Sequence, residues 1–171
     1  MSNEIFLIDT NSLITPHLTY YPFDFANSFW SQMEEHIRNG DIAILDLVKA
    51  EILHCKDNLS VWIKSVAIQN YIDHVDQTIL GIYGNILNYI DNNPCYKTSA
   101  LAEWSKNNVA DAWLISAAKA KGYTIITFEV SNNGLNPSSP SKCAKIPDIA
   151  NVFGVKTENL FYMMRILGFK L

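Results

Sequence analysis

Three short apolar runs constrain the fold of this chain most strongly, because helical segments lie between them and each run ends at an acidic residue. The runs are "IFLI" at 5–8, "IAIL" at 42–45 and "YTIITF" at 123–128. The acids that follow them are Asp9, Asp46 and Glu129. Runs that are apolar throughout, rather than alternating, predict strands buried on both faces. Such strands alternating with helices predict an α/β fold, with a short parallel sheet between two helical layers.

The helical segments are marked by apolar spacing and by capping residues. One helix is predicted from near Asp24 to Gly40, and Asp46 is predicted to cap the next helix. Residues 59–92 have helical spacing and end at an Asn-Asn-Pro sequence. The segment 107–122 is predicted to be a buried helix capped by Asn108, and a final helix is predicted to be capped by Thr157. Helices at residues 60–105 would be additions in the middle of the chain.

Composition limits the class of protein. The chain has 171 residues, of which 49% are hydrophobic and 18% charged, so it can bury one sizeable core, and a single domain over 1–171 is predicted. No apolar stretch approaches the roughly 20 residues that span a bilayer. The first residues also lack the basic flank and apolar core of a signal peptide. A cytoplasmic protein that does not contact membranes is expected.

Two acids lie where predicted strands leave the sheet. Ligand sites in open parallel sheets lie at the carboxyl ends of the strands, which places Asp9 and Glu129 at one edge. Glu51 and Asp111 follow on helices that can reach the same edge. Each acid also has an ordinary interpretation when taken alone. Asp9 can cap the next turn, Glu51 can be a solvated surface group, Asp111 can pair with its helix N-terminus, and Glu129 can be a loop acid.

Taken together, the four acids predict a metal site. Converging carboxylates repel one another unless a cation lies among them, and no basic residue is expected beside them. Mg²⁺ or Mn²⁺ suits a set of oxygen ligands. Ions of this kind activate water and stabilise charge on a scissile phosphate, so hydrolysis of phosphodiester bonds is the predicted chemistry.

Four segments, in order, carry a resemblance to a known family. They are "FLIDTNSLI", a glutamate on the helix after strand two, "NVADAWLISAAKAKG" and "YTIITFE". This order resembles the PIN domain, a metal-dependent nuclease fold found in many bacterial toxin ribonucleases, over nearly the whole chain. The resemblance implies that Asp9, Glu51, Asp111 and Glu129 are the metal and catalytic acids. It also implies that Thr10, Asn11 and Thr127 are neighbouring polar residues that orient them.

Two features depart from the PIN pattern. Glu129 stands where most PIN sequences have aspartate, and its longer side chain shifts the carboxylate outward. The stretch between Glu51 and Asp111 is also long for a minimal PIN domain, so the added helices would modify access of the substrate.

The resemblance implies a Mg²⁺- or Mn²⁺-dependent endoribonuclease, the toxin of a toxin–antitoxin pair. RNA would be its substrate, an antitoxin its partner, and self-association is possible. Three alternatives use the same fold: a weak or inactive module that binds RNA or protein, a nuclease that acts on DNA, and a metal-dependent phosphatase.

The basic residues are concentrated near the end of the chain. The net charge is −4, which disfavours coating by nucleic acid through bulk electrostatics. From residue 141 onward, however, the sequence has five basic residues and two acidic residues. Lys142 and Lys145 of this segment are predicted to contact RNA phosphates. The other interpretations of the segment are an ordinary solvated surface and an interaction surface for the antitoxin.

Overall fold

The computed structural model describes residues 4–171, which form a parallel sheet with helices on both faces. Its strands are β1 (Phe6–Ile8), β2 (Ile42–Leu45), β3 (Tyr71–Ile72), β4 (Thr124–Ile126) and β5 (Thr157–Glu158). The strand order is β3-β2-β1-β4-β5, and every pairing is parallel. The predicted three-layer α/β/α, PIN-like architecture is therefore confirmed.

Nine α-helices connect and cover the strands in the described part of the chain. They are α1 (Asn11–Thr15), α2 (Asn27–Asn39), α3 (Asp46–His54), α4 (Asn58–Ser65), α5 (Gln77–Asn92), α6 (Thr98–Trp104), α7 (Asp111–Lys121), α8 (Ile146–Val152) and α9 (Leu160–Leu167). A π-helical turn, Pro16–Tyr20, continues α1. The added helices predicted for the middle of the chain are α4, α5 and α6.

The core lies at the centre of the sheet. All residues of β1, β2 and β4 are buried, as expected for strands covered on both faces. Register places Leu7 beside Ala43 on one side and Ile125 on the other. Helix α7 is buried along most of its length and packs mainly against α5. The middle strands and α7 therefore form a rigid base for the residues that follow them.

Several predicted boundaries were wrong. Residues 59–92 are not one helical region, because β3 lies between α4 and α5 and extends the sheet beyond β2. With only two residues, one of them exposed, β3 is too short to show a strand pattern. Helix α2 begins at Asn27, not near Asp24, although it ends before Gly40, whose φ of +85° suits glycine.

The caps of two later helices also differ from the prediction. Helix α7 begins at Asp111 and not near Asn108, so Asp111 is its first residue. Helix α9 is capped by Asn159, whose side chain accepts a hydrogen bond from the backbone N–H of Tyr162, and not by Thr157. Thr157 lies in β5 instead. Of the helices in residues 4–171, none has the length and apolar character needed to cross a membrane.

Candidate metal centre and nucleic-acid interface

Asp9 lies at the centre of the candidate site, directly after β1. Its backbone N–H donates to the carbonyl of Ile126, 2.9 Å away, which fixes it beside the end of β4. Only 4% of the residue is exposed. Thr127 donates its hydroxyl to a carboxylate oxygen of Asp9 at 2.9 Å. The strand thus ends at a carboxylate that two neighbouring segments hold in place.

Burial has a strong electrostatic effect on Asp9. Desolvation raises the pKa of Asp9 to about 6, the hydrogen bond from Thr127 opposes this rise, and the charges of Glu129 and Glu51 add to it. A carboxylate in this environment loses hydration without gaining an opposite charge. In residues 4–171, Asp9 forms no ion pair with a basic residue.

Asp111 extends from the first turn of α7 into the same environment. Burial is the largest cause that raises its pKa to about 7, and the charges of Asp9, Glu129 and Glu51 raise it further. An acid at a helix N-terminus would ordinarily be stabilised as an anion. Here desolvation and the neighbouring carboxylates outweigh that effect, so helix capping alone does not account for Asp111.

Glu51 contacts the site through Thr10. The hydroxyl of Thr10, the residue after Asp9, donates a short hydrogen bond to the Glu51 carboxylate. Burial raises the pKa of Glu51, whereas hydrogen bonds from Thr10 and from the backbone of Ala110 lower it. Thus α3 places its carboxylate between Thr10, the second residue after β1, and Ala110, the residue that precedes α7.

Glu129 differs from the other three acids because it has a cationic partner. Lys145 Nζ donates to one of its carboxylate oxygens at 3.0 Å, and the backbone N–H of Ile146 donates to the other at 2.7 Å. Glu129 therefore caps α8 as well as facing the acids. The expectation that no basic residue stands beside the four acids was wrong, because a lysine sixteen residues along the chain folds back onto Glu129.

The residues predicted to orient the acids have unequal roles. Thr10 and Thr127 hold Glu51 and Asp9, and the Thr127 hydroxyl also accepts the backbone N–H of Glu129 at 3.1 Å. Asn11 is exposed and contacts none of the four carboxylates through a hydrogen bond among the described residues. Ser12, which the prediction missed, is fully buried and donates to the carbonyl of Ile126 at 3.1 Å. The sequence signal that could have identified Ser12 is its position in the "DTNS" sequence that follows β1.

The two lysines that were predicted to contact phosphates lie in different environments. Lys142 is exposed and forms no ion pair with another described residue. Lys145 is engaged with Glu129, and this contact raises the pKa of the lysine. Its side chain is still 41% exposed. Both lysines precede α8 on the side of the site where Glu129 lies.

The donor set fits a hard divalent cation. All four acids offer oxygen, and Asp9 and Asp111 carry negative charge that burial penalises. Among the described residues, no three of these acids bring their oxygens within 4.8 Å of one another. Mg²⁺ usually binds through one or two carboxylates and keeps several waters. The four acids can therefore offer one or two oxygen ligands to such an ion, and their charges act on one another at the same edge of the sheet.

A second cluster, Asp46, Asp73 and His74, does bring three ligand atoms within 4.8 Å of one another. Asp46 accepts hydrogen bonds from the His74 ring at 2.6 Å and from the backbone of Leu47 at 2.8 Å. The cluster is thus held together by its own hydrogen bonds, and it ties β3 to the start of α3. Nothing in the sequence analysis pointed to it, since Asp46 was interpreted as a helix cap only.

Comparison with known proteins identifies one family. A family model described as a domain of unknown function, DUF4411, matches residues 6–171. The chain belongs to this family. A search of curated proteins gave no match.

Two solved structures share the fold of this DUF4411 protein. One is VapBC2 from Rickettsia felis bound to a DNA fragment from its promoter, with 17% identity and a TM-score of 0.55. The other is DNA-bound VapBC from Salmonella typhimurium, with 15% identity and a TM-score of 0.52. Each alignment covers 91% of this chain and 98% of the other. Similarity at these identities establishes the fold, and it agrees with the PIN-like architecture.

Proposed function

We propose that this protein is a Mg²⁺- or Mn²⁺-dependent endoribonuclease that acts as the toxin of a toxin–antitoxin pair. The observation that carries the proposal is the environment of Asp9 and Asp111. Asp9 is buried and Asp111 is half-buried, neither forms an ion pair among the described residues, and desolvation raises the pKa of both. An arrangement in which desolvation makes two negative charges unfavourable is typical of a site that binds a cation.

In this proposal, Asp9 and Asp111 hold the metal ion. Thr127 keeps the Asp9 carboxylate in one orientation through its hydroxyl. Thr10 does the same for Glu51, which adds negative charge beside the ion. When bound, Mg²⁺ or Mn²⁺ would activate water and neutralise charge on the scissile phosphate. Lys142 and the exposed part of Lys145 would contact phosphates on the Glu129 side of the site.

The partner proposal rests on the two structural neighbours. Both are VapBC complexes whose descriptions include DNA, so a protein partner and self-association are proposed for this chain as well. Co-expression with the product of an adjacent small gene, followed by size-exclusion chromatography with light scattering, tests both. A stoichiometric complex supports the partner, and a chain that stays monomeric when alone contradicts self-association.

The central test is cleavage of RNA by the purified full chain. Activity is expected with Mn²⁺ or Mg²⁺, none with EDTA, and none for Asp9→Asn under any condition. Thermal unfolding of Asp9→Asn in EDTA should occur at the same temperature as wild type or higher, because a buried charge is removed. Equal cleavage by wild type and Asp9→Asn contradicts the proposal.

The same assay separates the alternatives. Single-stranded and duplex DNA of the same sequence are tested beside the RNA. Cleavage of the DNA indicates a nuclease that acts on DNA. Metal-dependent release of phosphate from a simple monoester, without cleavage of RNA, indicates a phosphatase. Binding of RNA without any cleavage indicates a binding module that has kept the fold and lost the reaction.

A further inference from the structure

A cavity of about 380 Å³ adjoins the candidate metal centre on the side opposite Glu129. It lies between α3 and the segment that leads into α7, and Glu51 forms part of its wall. Because Glu51 also accepts a hydrogen bond from Thr10, the residue after Asp9, the cavity and the candidate metal centre share this side chain. The cavity volume is in the range of small-molecule sites.

The walls of the cavity combine apolar surface with a few polar groups. Leu47, Ala50 and Val109 supply the apolar part, and Asn107 and Asn108 lie on the segment before α7. Both asparagines are exposed, and in the described residues neither side-chain amide is engaged in a hydrogen bond. Each amide therefore offers a donor and an acceptor to a ligand.

His54 completes the lining from the last turn of α3. It is exposed and lies one turn beyond Glu51. Its flat ring can stack on another planar group. Apolar walls, two free amides and an aromatic ring together are suited to a flat heterocycle with a hydrogen-bonding edge.

Charge excludes a phosphate from the cavity itself. No lysine or arginine lines it within residues 4–171, and the carboxylate of Glu51 would repel an anion. The uncharged part of a nucleotide fits better, since bases in single-stranded RNA are recognised by stacking and by hydrogen bonds to their edges.

We infer that this cavity is a nucleobase subsite of the nuclease, in which Asn107 and Asn108 read the edge of one RNA base beside the scissile phosphate. The inference rests on the proposed function, because a metal ion held by the acids next to Glu51 would bind that phosphate. Sequence preference of cleavage would then come from the segment before α7. Lys145, which lies beside Glu129, would contact the RNA backbone without reading the base.

Binding can be tested without cleavage. The full-length Asp111→Asn variant, labelled with ¹⁵N, is titrated with AMP, GMP, CMP and UMP, and with ribose 5-phosphate as a ligand that lacks a base. The side-chain amide signals of Asn107 and Asn108 should shift with one or two of the four nucleotides and not with ribose 5-phosphate. Equal shifts with ribose 5-phosphate, or no shifts at all, overturn the inference.

A double variant supplies the matched comparison. Asn107→Ala together with Asn108→Ala should weaken binding of the preferred nucleotide by about ten-fold, as expected for lost hydrogen bonds. Asn85→Ala removes the same amide from an exposed position on α5, outside the cavity, and should leave binding unchanged. Equal affinities for wild type and the double variant also overturn the inference.

Cleavage of a randomised RNA, with the ends mapped by sequencing, then separates this inference from the proposed function. Wild type should prefer one base at one position beside the cut, and the double variant should lose that preference while still cutting. If RNA is cut but the preference is the same in both proteins, the subsite is wrong and the nuclease stands. If RNA is not cut but the amide signals shift, the base site stands and the nuclease is wrong.

Discussion

Two different carboxylate environments lie at the same edge of the sheet. One contains Asp9 and Asp111, and the other contains Glu129 with its partner Lys145. Asp9 is buried, Asp111 is half-buried, neither forms an ion pair among the described residues, and desolvation raises the pKa of both. Glu129 accepts hydrogen bonds from Lys145 Nζ and from the N-terminus of α8. The chain neutralises one of these environments with its own residues and leaves the other uncompensated.

This difference assigns different tasks to acids that share a sheet edge. A buried carboxylate without a counter-charge lowers the stability of the folded protein. Binding of a cation to the folded state offsets this loss. A carboxylate with its own lysine and helix N-terminus is stable without a ligand. We therefore expect Asp9 and Asp111 to bind the metal, and Glu129 to fix α8 and adjust the local charge.

The largest effect should separate Asp111 from Glu129 in catalysis. We expect Asp111→Asn to lower RNA cleavage by about 1000-fold, as for other groups that stabilise reacting charge directly. Glu129→Gln should lower it by only about 10-fold, as for residues that act through their neighbours. Initial rates at saturating Mn²⁺ measure both.

The control for this comparison is the free energy of unfolding in EDTA. Asp111→Asn removes a half-buried charge that has no ion-pair partner among the described residues, and it should not destabilise the protein. Glu129→Gln weakens the contacts with α8 and should destabilise it. Equal losses of activity in the two variants would contradict the division of tasks between them.

The next effect concerns pH. Asp9 and Asp111 have folded pKa values of about 6 and about 7, above the unfolded value of about 3.9. Between pH 5 and pH 8 the folded state therefore binds more protons than the unfolded state, and stability falls as pH rises. In EDTA, we expect the free energy of unfolding to be about 4 kcal/mol higher at pH 5 than at pH 8. Urea denaturation at each pH measures it.

Asp9→Asn combined with Asp111→Asn is the control for the pH effect. This variant should lose most of the difference between pH 5 and pH 8, and the remainder belongs to other groups such as the histidines. Saturating Mg²⁺ should likewise raise the stability of wild type most at pH 8. A wild-type protein that is less stable at pH 5 than at pH 8 would show that the folded state does not disfavour the charged forms of Asp9 and Asp111.

The fold and the metal-centre candidates could be predicted because their signals are local. A buried strand is recognisable from three or four apolar residues, and the acid that follows β1 has its position fixed by the strand. The same reasoning placed Glu51 and Asp111 near that edge. It failed for β3, whose two residues pair with β2 in a segment that long-range contacts hold, such as the hydrogen bond between His74 and Asp46.

The partner of Glu129 could not be predicted for a different reason. Lys145 lies beyond a polar loop whose path is not determined by periodicity, so its distance from the acids is a tertiary property. The cavity next to Glu51 is similar, because α3 and the segment before α7 are far apart in the sequence. Contacts of this kind follow from packing of the whole fold.

A smaller effect should follow from removing the lysine. Lys145→Met leaves Glu129 with only the N–H of Ile146 as a donor, and it removes a positive charge that lowers the pKa of Asp111. We expect the stability in EDTA to fall by about 1 kcal/mol, the upper range for a partly exposed ion pair. Mn²⁺ should bind about three-fold more tightly, because a nearby positive charge is lost. Calorimetric titration with Mn²⁺ measures the affinity.

Lys142→Met is the matched control for Lys145→Met. It removes the same charge from an exposed position three residues away, and Lys142 has no acidic partner among the described residues. Stability and Mn²⁺ affinity should stay near wild type. If both variants change Mn²⁺ affinity equally, the effect is a general one of net charge and not of the Glu129 contact.

The smallest effect should come from Thr127→Val, which keeps the shape of the side chain and removes its hydroxyl. The hydroxyl donates to Asp9 and accepts the N–H of Glu129, and its bond to Asp9 stabilises the charged form of that acid. We expect a loss of about 1 kcal/mol at pH 8 in EDTA, with a smaller loss at pH 5, where Asp9 is protonated. Urea denaturation at both pH values measures the loss.

Thr124→Val provides the comparison at the other end of β4. The Thr124 hydroxyl donates to Glu4 at 2.7 Å, and the pKa of Glu4 is lowered, so this carboxylate remains charged from pH 5 to pH 8. Thr124→Val should therefore cost the same at both pH values, while the cost of Thr127→Val should change between them. An equal cost for Thr127→Val at pH 5 and pH 8 would mean that Thr127 only joins β1 to β4 and does not stabilise a charged Asp9.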